Sequence, residues 1–329
     1  MNATITSIGV YHPEKEIKNS FFEAILETSS EWIKERTGIE RRYFAAPNEY
    51  TSDMCVKAAQ NLLSNYNQDL SEVDFIIVAT TTPDQVVPSV ASQVQSRLRI
   101  PNAGALDISC ACSGFCNGIT LAKGLLASGS HKKILVFGAD TLSKVTDFTD
   151  RSTCILFGDA AGAVIVEASI ENSLLNTITG TNGDYGKDLY LTNQPAPIND
   201  KEVISNNKLH QNGRAVYKWA VQTLVTNLGA LVKKNNLSLD DIDFFLPHSA
   251  NYRLLETVFR EVNIPMTKCL DSVRLYGNTS AASIPLAWYN GIKENKIQMN
   301  DMLMLMGFGG GFTYSGLCIK NKICKGPNM

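Results

Sequence analysis

An α/β fold with largely parallel, buried sheets is predicted by three observations: apolar runs of strand length, helical spacing of apolar residues between them, and an internal repeat pairing the first half of the chain with the second. The runs are residues 74–80 (DFIIVAT), 104–110 (GALDISC), 133–139 (KILVFGA), 162–167 (GAVIVE), 243–246 (DFFL) and 302–307 (MLMLMG). Near-continuous hydrophobicity marks strands covered on both faces, as in parallel sheets flanked by helices. Between them, Phe115, Ile119, Ala122 and Leu126 recur at helical spacing, and Ser128-Gly129 supplies a stop.

The repeat is visible in the residues themselves. LSEVDFIIV at 70–78 answers LDDIDFFLP at 239–247, and the same offset lays residues 133–138 on 302–307. Two strands in register at one spacing indicate a duplicated α/β half, dividing the chain into 1–170 and 171–329. That offset also sets residues 109–113 (SCACS) against 278–282 (NTSAA), each just ahead of a helical pattern. If the halves pack about a pseudo-twofold axis, these two strand-to-helix junctions meet at their interface, a usual place for a pocket. Residues 172–211, rich in Asn, Gly and Asp and carrying Gln194-Pro195-Ala196-Pro197, read as linker and surface loop.

Bulk properties narrow the function. The 329 residues are 44% hydrophobic and 19% charged, and 30 Lys+Arg against 32 Asp+Glu leave a formal net charge of -2, so no overall field favours nucleic acid or an anionic membrane. The start carries no basic and apolar leader, and no apolar run approaches the ~18 residues of a membrane span, so a soluble cytoplasmic protein is expected. Eight cysteines are too sparse for a disulfide framework. Cys55, Cys154, Cys269, Cys318 and Cys324 lie in or beside apolar segments and are expected to pack as small hydrophobes. Cys110, Cys112 and Cys116 form a C-x-C-x3-C cluster without the partner pair a tetrahedral metal site needs, so no metal is expected.

Cys112 follows a buried-type strand and precedes a helix, which should place its thiol near backbone N–H groups and the positive end of a helix dipole. That setting favours a thiolate able to attack a thioester, with the same N–H groups stabilising the oxyanion. Local sequence alone equally fits a small residue filling a tight turn, and the companions of Cys112 decide between the readings. His248, in P-H-S-A-N, mirrors Thr80 at the carboxyl end of the equivalent strand, where open α/β sheets place their sites; His12, His131 and His210 lie in segments that read as loops. Asn278, taken alone, reads as a helix cap. The loop at 307–312 (GFGGGF) lets backbone N–H groups approach a ligand, but it lacks the Lys-Ser/Thr of a phosphate loop, so a tight turn or an oxyanion donor fits better. Trp32, Arg36, Thr37, Arg151 and Arg253 are candidates for gripping a nucleotide and its phosphates.

Taken together, ACSGF at 111–115, PHSAN at 247–251, YGNTS at 276–280 and FGGGFT at 308–313 resemble the β-ketoacyl-acyl-carrier-protein synthase III family. The likeness runs nearly end to end, through TSSEWI at 28–33, RTGI at 36–39, TDR at 149–151 and LFGDAAG at 156–162. The details HSAN at 248–251 and TLSKVTD at 141–147 look most like the second synthase III copy of some Gram-positive bacteria. This resemblance implies a five-layered αβαβα thiolase fold, a homodimer, and a Cys-His-Asn triad of Cys112, His248 and Asn278. It implies acyl-CoA and malonyl-acyl-carrier protein as substrates, no metal or redox cofactor, and an oxyanion hole of the Cys112 and Gly310 N–H groups. Trp32 and Arg151 would sandwich the adenine, with Thr28, Arg36, Thr37 and Asn251 along the CoA channel. Val87, Leu142, Phe157 and Phe308 would shape the acyl pocket, and Lys218, Ser249 and Arg253 would meet the carrier protein.

Three positions depart from the family pattern. Ser249 stands where many members carry glutamine, Val87 where acetyl-specific members carry phenylalanine, and Arg260-Glu261 replaces a Lys-Lys pair. A smaller residue at position 87 implies room for branched or longer primers. A thiolase would want a second cysteine where Gly307 stands, and an elongating synthase a second histidine in place of Asn278. A condensing enzyme or acyltransferase of secondary metabolism keeps the same triad, whereas a catalytically silent subunit commonly lacks the nucleophile.

Overall fold

The computed structural model describes residues 2–329. The first half lays down β1 (Asn2–Tyr11), makes an excursion through β2 (Lys15–Lys18), α1 (Ser20–Glu23), α2 (Ser30–Thr37) and β3 (Arg41–Phe44), and returns through α3 (Thr51–Asn65) and β4 (Phe75–Ala79). It then continues through α4 (Val90–Arg97), β5 (Gly104–Ile108), α5 (Gly114–Ala127), β6 (Lys133–Asp140) and β7 (Ala160–Ser169). The second half comprises β8 (Leu174–Thr181), the short β9 (Leu189–Leu191) and β10 (Leu209–Gln211), α6 (Gly213–Lys234), β11 (Phe244–Pro247) and α7 (Tyr252–Glu261). It closes with α8 (Val273–Tyr276), α9 (Ser283–Lys293), β12 (Met302–Gly309) and β13 (Thr313–Lys320).

Two sheets, ordered β1-β7-β6-β4-β5 and β11-β12-β13-β8, enclose α5 and α9 between them. The alternation along single strands explains the layers. Ile77 of β4 and Leu303 and Leu305 of β12 face the central core with Phe115, Ile119, Ile284 and Trp288. Ile76 and Val78 point the other way, onto Met54, Ala58 and Val94 of α3 and α4, while Met304 and Met306 meet Leu224, Leu255 and Phe259 of α6 and α7. Strands buried on both faces are why these runs contain no polar alternation. The result is five layers, helix-sheet-helix-sheet-helix.

The duplication extends to backbone dihedrals. One-turn 3₁₀ segments at Ala111–Ser113 and Ser280–Ala282 precede α5 and α9 at the same sequence offset as the strands. Each opens on a non-glycine residue with positive φ, Ala111 at 46° and Ser280 at 50°. That offset pairs His248 with Ala79 and Ser249 with Thr80, correcting the match of His248 to Thr80.

The sheets are mixed rather than largely parallel. β4 runs parallel to β5 and β6, and β11 to β12, but β7 lies antiparallel to both β1 and β6, and β13 to both β12 and β8. The three residues between β12 and β13 permit only a hairpin, which forces antiparallel pairing. Residues 172–211 are not merely linker: β8 completes the second sheet and β9 pairs with β10, which also takes His210 out of the loop class. Cys55, Cys154, Cys269 and Cys318 are buried as expected, whereas Cys324 is exposed near the C-terminus. Among the described residues no helix is long and apolar enough to cross a membrane.

Candidate active site

Cys112 sits on the turn between β5 and α5, just after the positive-φ Ala111, a conformation that costs a non-glycine residue roughly 1–3 kcal/mol and is held only by its surroundings. The second half supplies that hold. Thr313 Oγ1 lies 2.7 Å from Ser113 Oγ and donates to the Cys110 carbonyl at 3.2 Å. Gly309 packs so closely that a Cβ there would lie 2.6 Å from the Cys112 nitrogen. Cys112 forms part of the wall of two cavities, one of about 310 Å³ and one of about 350 Å³. Burial pushes its thiol up to about 12, with the Asp140 charge adding to the shift and a hydrogen bond from Ser280 opposing it. The resting nucleophile is therefore a thiol, contrary to the expectation that the helix terminus alone would favour thiolate.

His248 and Asn278 face the first of these cavities. His248 leaves β11 with its N–H bonded to the Met306 carbonyl at 2.8 Å, its ring edge-on to Phe308 at 4.9 Å and its Nδ1 2.7 Å from Ser283 Oγ. Burial pushes its pKa down to about 3 against a smaller raising contact with the Ser280 main chain, so the ring is neutral at any working pH. Asn278 does not cap α9. Its Oδ1 accepts the Ser280 N–H at 2.9 Å, while its backbone bridges to Leu156 and Gly158 at 2.8 and 3.0 Å. With the carbonyl oxygen so committed, the amide nitrogen is the group left to serve as donor.

The first cavity also gathers Trp32, Arg36, Thr37, Asn251 and Phe308 from the expected set. Arg151 lies over the Trp32 ring with its guanidinium carbon 5.1 Å from the centroid and donates to the Glu27 carbonyl at 2.7 Å. Thr28 does not line this cavity, and its buried hydroxyl has no partner. The second cavity joins Cys112 and Gly310 to Leu142. Phe157 packs behind Leu142 without reaching the wall, and Phe308 belongs to the first cavity, not the second. Val87 touches neither in a single chain and is 82% exposed.

Lys218 and Arg253 are exposed on α6 and α7, with Arg253 already bonded to the Glu35 carbonyl at 2.7 Å and to Glu256 at 2.8 Å. Ser249 cannot meet a carrier protein: it is 0% exposed, and its hydroxyl accepts the Ser272 N–H at 3.0 Å. Sequence reasoning also missed Leu189, Leu191 and Leu209, which line the second cavity and arise from the segment read as linker. The apolar alternation of Leu189-Tyr190-Leu191 was the available signal. Among the described residues no cluster of three or more His, Cys, Asp or Glu is placed to hold a metal.

A thiol that must be deprotonated, facing two neutral hydrogen-bonding side chains across a cavity, suits acyl transfer through a thioester, and in fused α/β halves this is the arrangement of a thiolase-fold condensing enzyme. Comparison with known proteins is more specific. The family profile described as 3-oxoacyl-[acyl-carrier-protein (ACP)] synthase III matches residues 106–183, and the profile for its C-terminal part matches residues 232–321. The chain is 48% identical to β-ketoacyl-[acyl-carrier-protein] synthase III 2 of Staphylococcus epidermidis, covering 97% of this chain and 98% of that one. It is 47% identical to the protein of the same name from Bacillus subtilis, again over 97% and 98%. The crystal structure of β-ketoacyl-[acyl carrier protein] synthase III from Thermus thermophilus superposes with a TM-score of 0.93 at 38% identity, covering 96% of this chain and 98% of that one. The chain belongs to the β-ketoacyl-[acyl-carrier-protein] synthase III family, a family of condensing acyltransferases.

Proposed function

We propose that Cys112 is acylated by a short acyl-CoA primer and that the acyl-enzyme condenses with malonyl-acyl-carrier protein, the first carbon–carbon bond of fatty acid synthesis. The observation that carries this reading is the position of Cys112 on the shared wall of two cavities, with His248 and Asn278 in one and an apolar recess of Leu142, Leu189, Leu191 and Leu209 in the other. The primer thioester enters through the first cavity; the Cys112 sulfur attacks its carbonyl, the oxyanion turns to the Cys112 and Gly310 N–H groups, and the bond to CoA breaks, its electrons staying on the CoA sulfur, which takes up the proton lost by Cys112 and leaves as the thiol. The acyl chain then occupies the recess. Malonyl thioester takes the vacated channel, and loss of carbon dioxide leaves an enolate whose oxygen is held by the His248 and Asn278 N–H donors. The enolate carbon bonds to the acyl carbonyl, the C–S bond to Cys112 breaks with its electrons left on sulfur, and a proton from solvent returns Cys112 to the thiol. This scheme uses no metal or redox cofactor.

Trp32 and Arg151 supply the adenine clamp. A base between two planes needs about 7 Å, two contacts of roughly 3.5 Å, so Arg151 must swing off the indole, which it now covers at 5.1 Å. Arg36, Thr37 and Asn251 border the route of the pantetheine and phosphates, and Thr28 stands outside it. The basic patch for the acidic carrier consists of Lys218 and Arg253, with Arg214 one turn before Lys218 on α6. The two halves, 1–170 and 171–329, divide between β7 and β8, and the enzyme works in the cytoplasm as a homodimer. β5 is an open edge of its sheet, and Val86 and Val87 are 89% and 82% exposed beside the elements that a second copy would cover. Across such a dimer Val87 reaches the partner's acyl recess, where its small side chain admits branched or longer primers.

Intact-mass measurement after incubation with a panel of acyl-CoAs tests the assignment. The wild type should gain one acyl group and Cys112→Ala none; an adduct that survives in the variant overturns it. If acetyl-CoA loads Cys112 and isobutyryl-CoA does not, the primer assignment fails while the nucleophile stands.

A further inference from the structure

Behind His248 lies a chain of buried hydroxyls that substrate cannot touch. Ser283, Ser249 and Ser272 are 0%, 0% and 2% exposed. Ser283 Oγ stands 2.7 Å from His248 Nδ1 and accepts the Ser249 N–H at 3.3 Å, while Ser272 donates its hydroxyl to the Ser283 carbonyl at 3.0 Å and its N–H to Ser249 Oγ at 3.0 Å. These contacts pin Ser283 at the first residue of α9, with a main-chain N–H already on its oxygen.

We infer that Ser283 is a positioning residue that donates its hydroxyl proton to His248 Nδ1 and thereby holds the ring in the tautomer whose Nε2 carries the hydrogen. A hydroxyl has one proton to give and lone pairs to receive. With the Ser249 N–H on one lone pair, the Ser283 proton is free to point at Nδ1, and Nε2–H is then the donor presented to the cavity. A neutral ring has one acceptor nitrogen and one donor nitrogen, so fixing Nδ1 fixes Nε2. His248 is neutral because burial holds its pKa near 3, and a neutral imidazole in the wrong tautomer would present a lone pair to the enolate oxygen. The Ser280 main chain also abuts the ring, and an acceptor there favours a hydrogen on whichever nitrogen it meets.

The inference rests on the condensing reaction proposed above, but its first readout needs no substrate. Nitrogen-15 NMR of histidine-labelled protein should show Nδ1 of resting His248 as an unprotonated acceptor and Nε2 as protonated, with Ser283→Ala moving toward a mixture of tautomers. Ser283→Ala should release carbon dioxide from malonyl-carrier protein more slowly by on the order of 100-fold, the loss typical of one misplaced oxyanion donor, while Cys112 acylation changes by less than about 3-fold. Ser283→Thr, which keeps the hydroxyl, should restore the wild-type tautomer. A protonated Nδ1 in the wild type overturns the inference, as does an unchanged decarboxylation rate in Ser283→Ala. Equal losses in acylation and decarboxylation would reduce Ser283 to packing and also overturn it. Failure of the wild type to acylate at all would instead strike the condensing reading, leaving the tautomer measurement to stand by itself.

Discussion

At the scale of single residues, the site combines a nucleophile that is reluctant to ionise with an imidazole that is reluctant to charge. Burial holds the Cys112 thiol up near 12 and His248 down near 3, so the pair does not rest as a thiolate–imidazolium ion pair. Reactivity of Cys112 toward iodoacetamide should therefore keep climbing with pH through 9, with no plateau near 6 or 7; a plateau there would reveal an ion pair. Asp140 adds to the difficulty. Its buried carboxyl takes five hydrogen bonds on Oδ1 from Thr80, Thr81 and Thr82, leaves Oδ2 without a partner, and its charge raises the thiol further. Asp140→Asn removes that charge, so the thiol pKa falls and alkylation at pH 8 should quicken roughly 3- to 10-fold; an unchanged rate would mean the carboxyl is already neutral. Cys112, His248 and Asn278 were legible because each stands in a short motif, the first two just beyond strands and Asn278 in the turn between α8 and α9, not at the strand-to-helix junction expected there. Ser283 and Asp140 were not, since one serine or aspartate among many becomes distinctive only when folding buries it against a catalytic side chain.

Among the elements, the excursion from β2 to β3 is fastened to the body of the protein at two points that differ in kind. The first is Asn251, the N-cap of α7, whose Oδ1 accepts the Arg253 and Leu254 N–H groups at 2.8 and 3.4 Å while its Nδ2 donates to the Arg36 carbonyl at the end of α2, at 3.2 Å. The two functions separate by substitution. Asn251→Asp keeps the cap but loses the donor to α2, so it should melt like the wild type yet show a raised KM for acyl-CoA; Asn251→Ala should lose both, at about 1 kcal/mol in denaturant titration. The second point is Arg42, fully buried without a carboxylate, bonding Asn19 Oδ1 at 2.7 Å and the Ile155 carbonyl at 2.6 Å, with its guanidinium carbon 4.7 Å from the Phe22 ring centroid. Arg42→Met strands two buried acceptors and should cost about 3 kcal/mol of unfolding free energy. Doubly buried strands announced themselves as apolar runs, but β2 and β3 did not. Their residues, KEIK and RRYF, read as surface because only one face is covered, and β9, three residues long, was too short to stand out within an Asn-rich stretch.

For the molecule as a whole, duplication explains how the two halves share one site. Equivalent junctions, each opened by a strained non-glycine residue, face each other, and divergence has given one the cysteine and the other the asparagine. A repeat read from two strands foresaw that meeting, but the sheet order, which follows from β7 and β13 folding back on their neighbours, had no comparable signal. The fold leaves one further surface to account for. β5 ends its sheet with open backbone groups, Leu106 on it is 37% exposed, and Val86 and Val87 stand almost wholly in solvent. An uncovered edge beside apolar side chains invites another chain, and a second copy pairing β5 with β5 would satisfy both at once. Sedimentation should show a dimer at micromolar concentration. Gly104 and Ile108 turn their backbone groups to β4, so alternation leaves the Ala105 N–H on the open edge; Ala105→Pro removes that donor and should yield monomers that keep their far-ultraviolet circular dichroism. If Val87 completes the partner's recess, those monomers will also lose primer selectivity, and Val87→Phe in the intact dimer will disfavour isobutyryl-CoA relative to acetyl-CoA by roughly 10-fold or more, the discrimination expected when a side chain fills space needed for one or two methyl groups. A monomeric wild type would remove the edge-pairing argument, and a dimer whose Val87→Phe variant keeps its preference would place Val87 outside the recess.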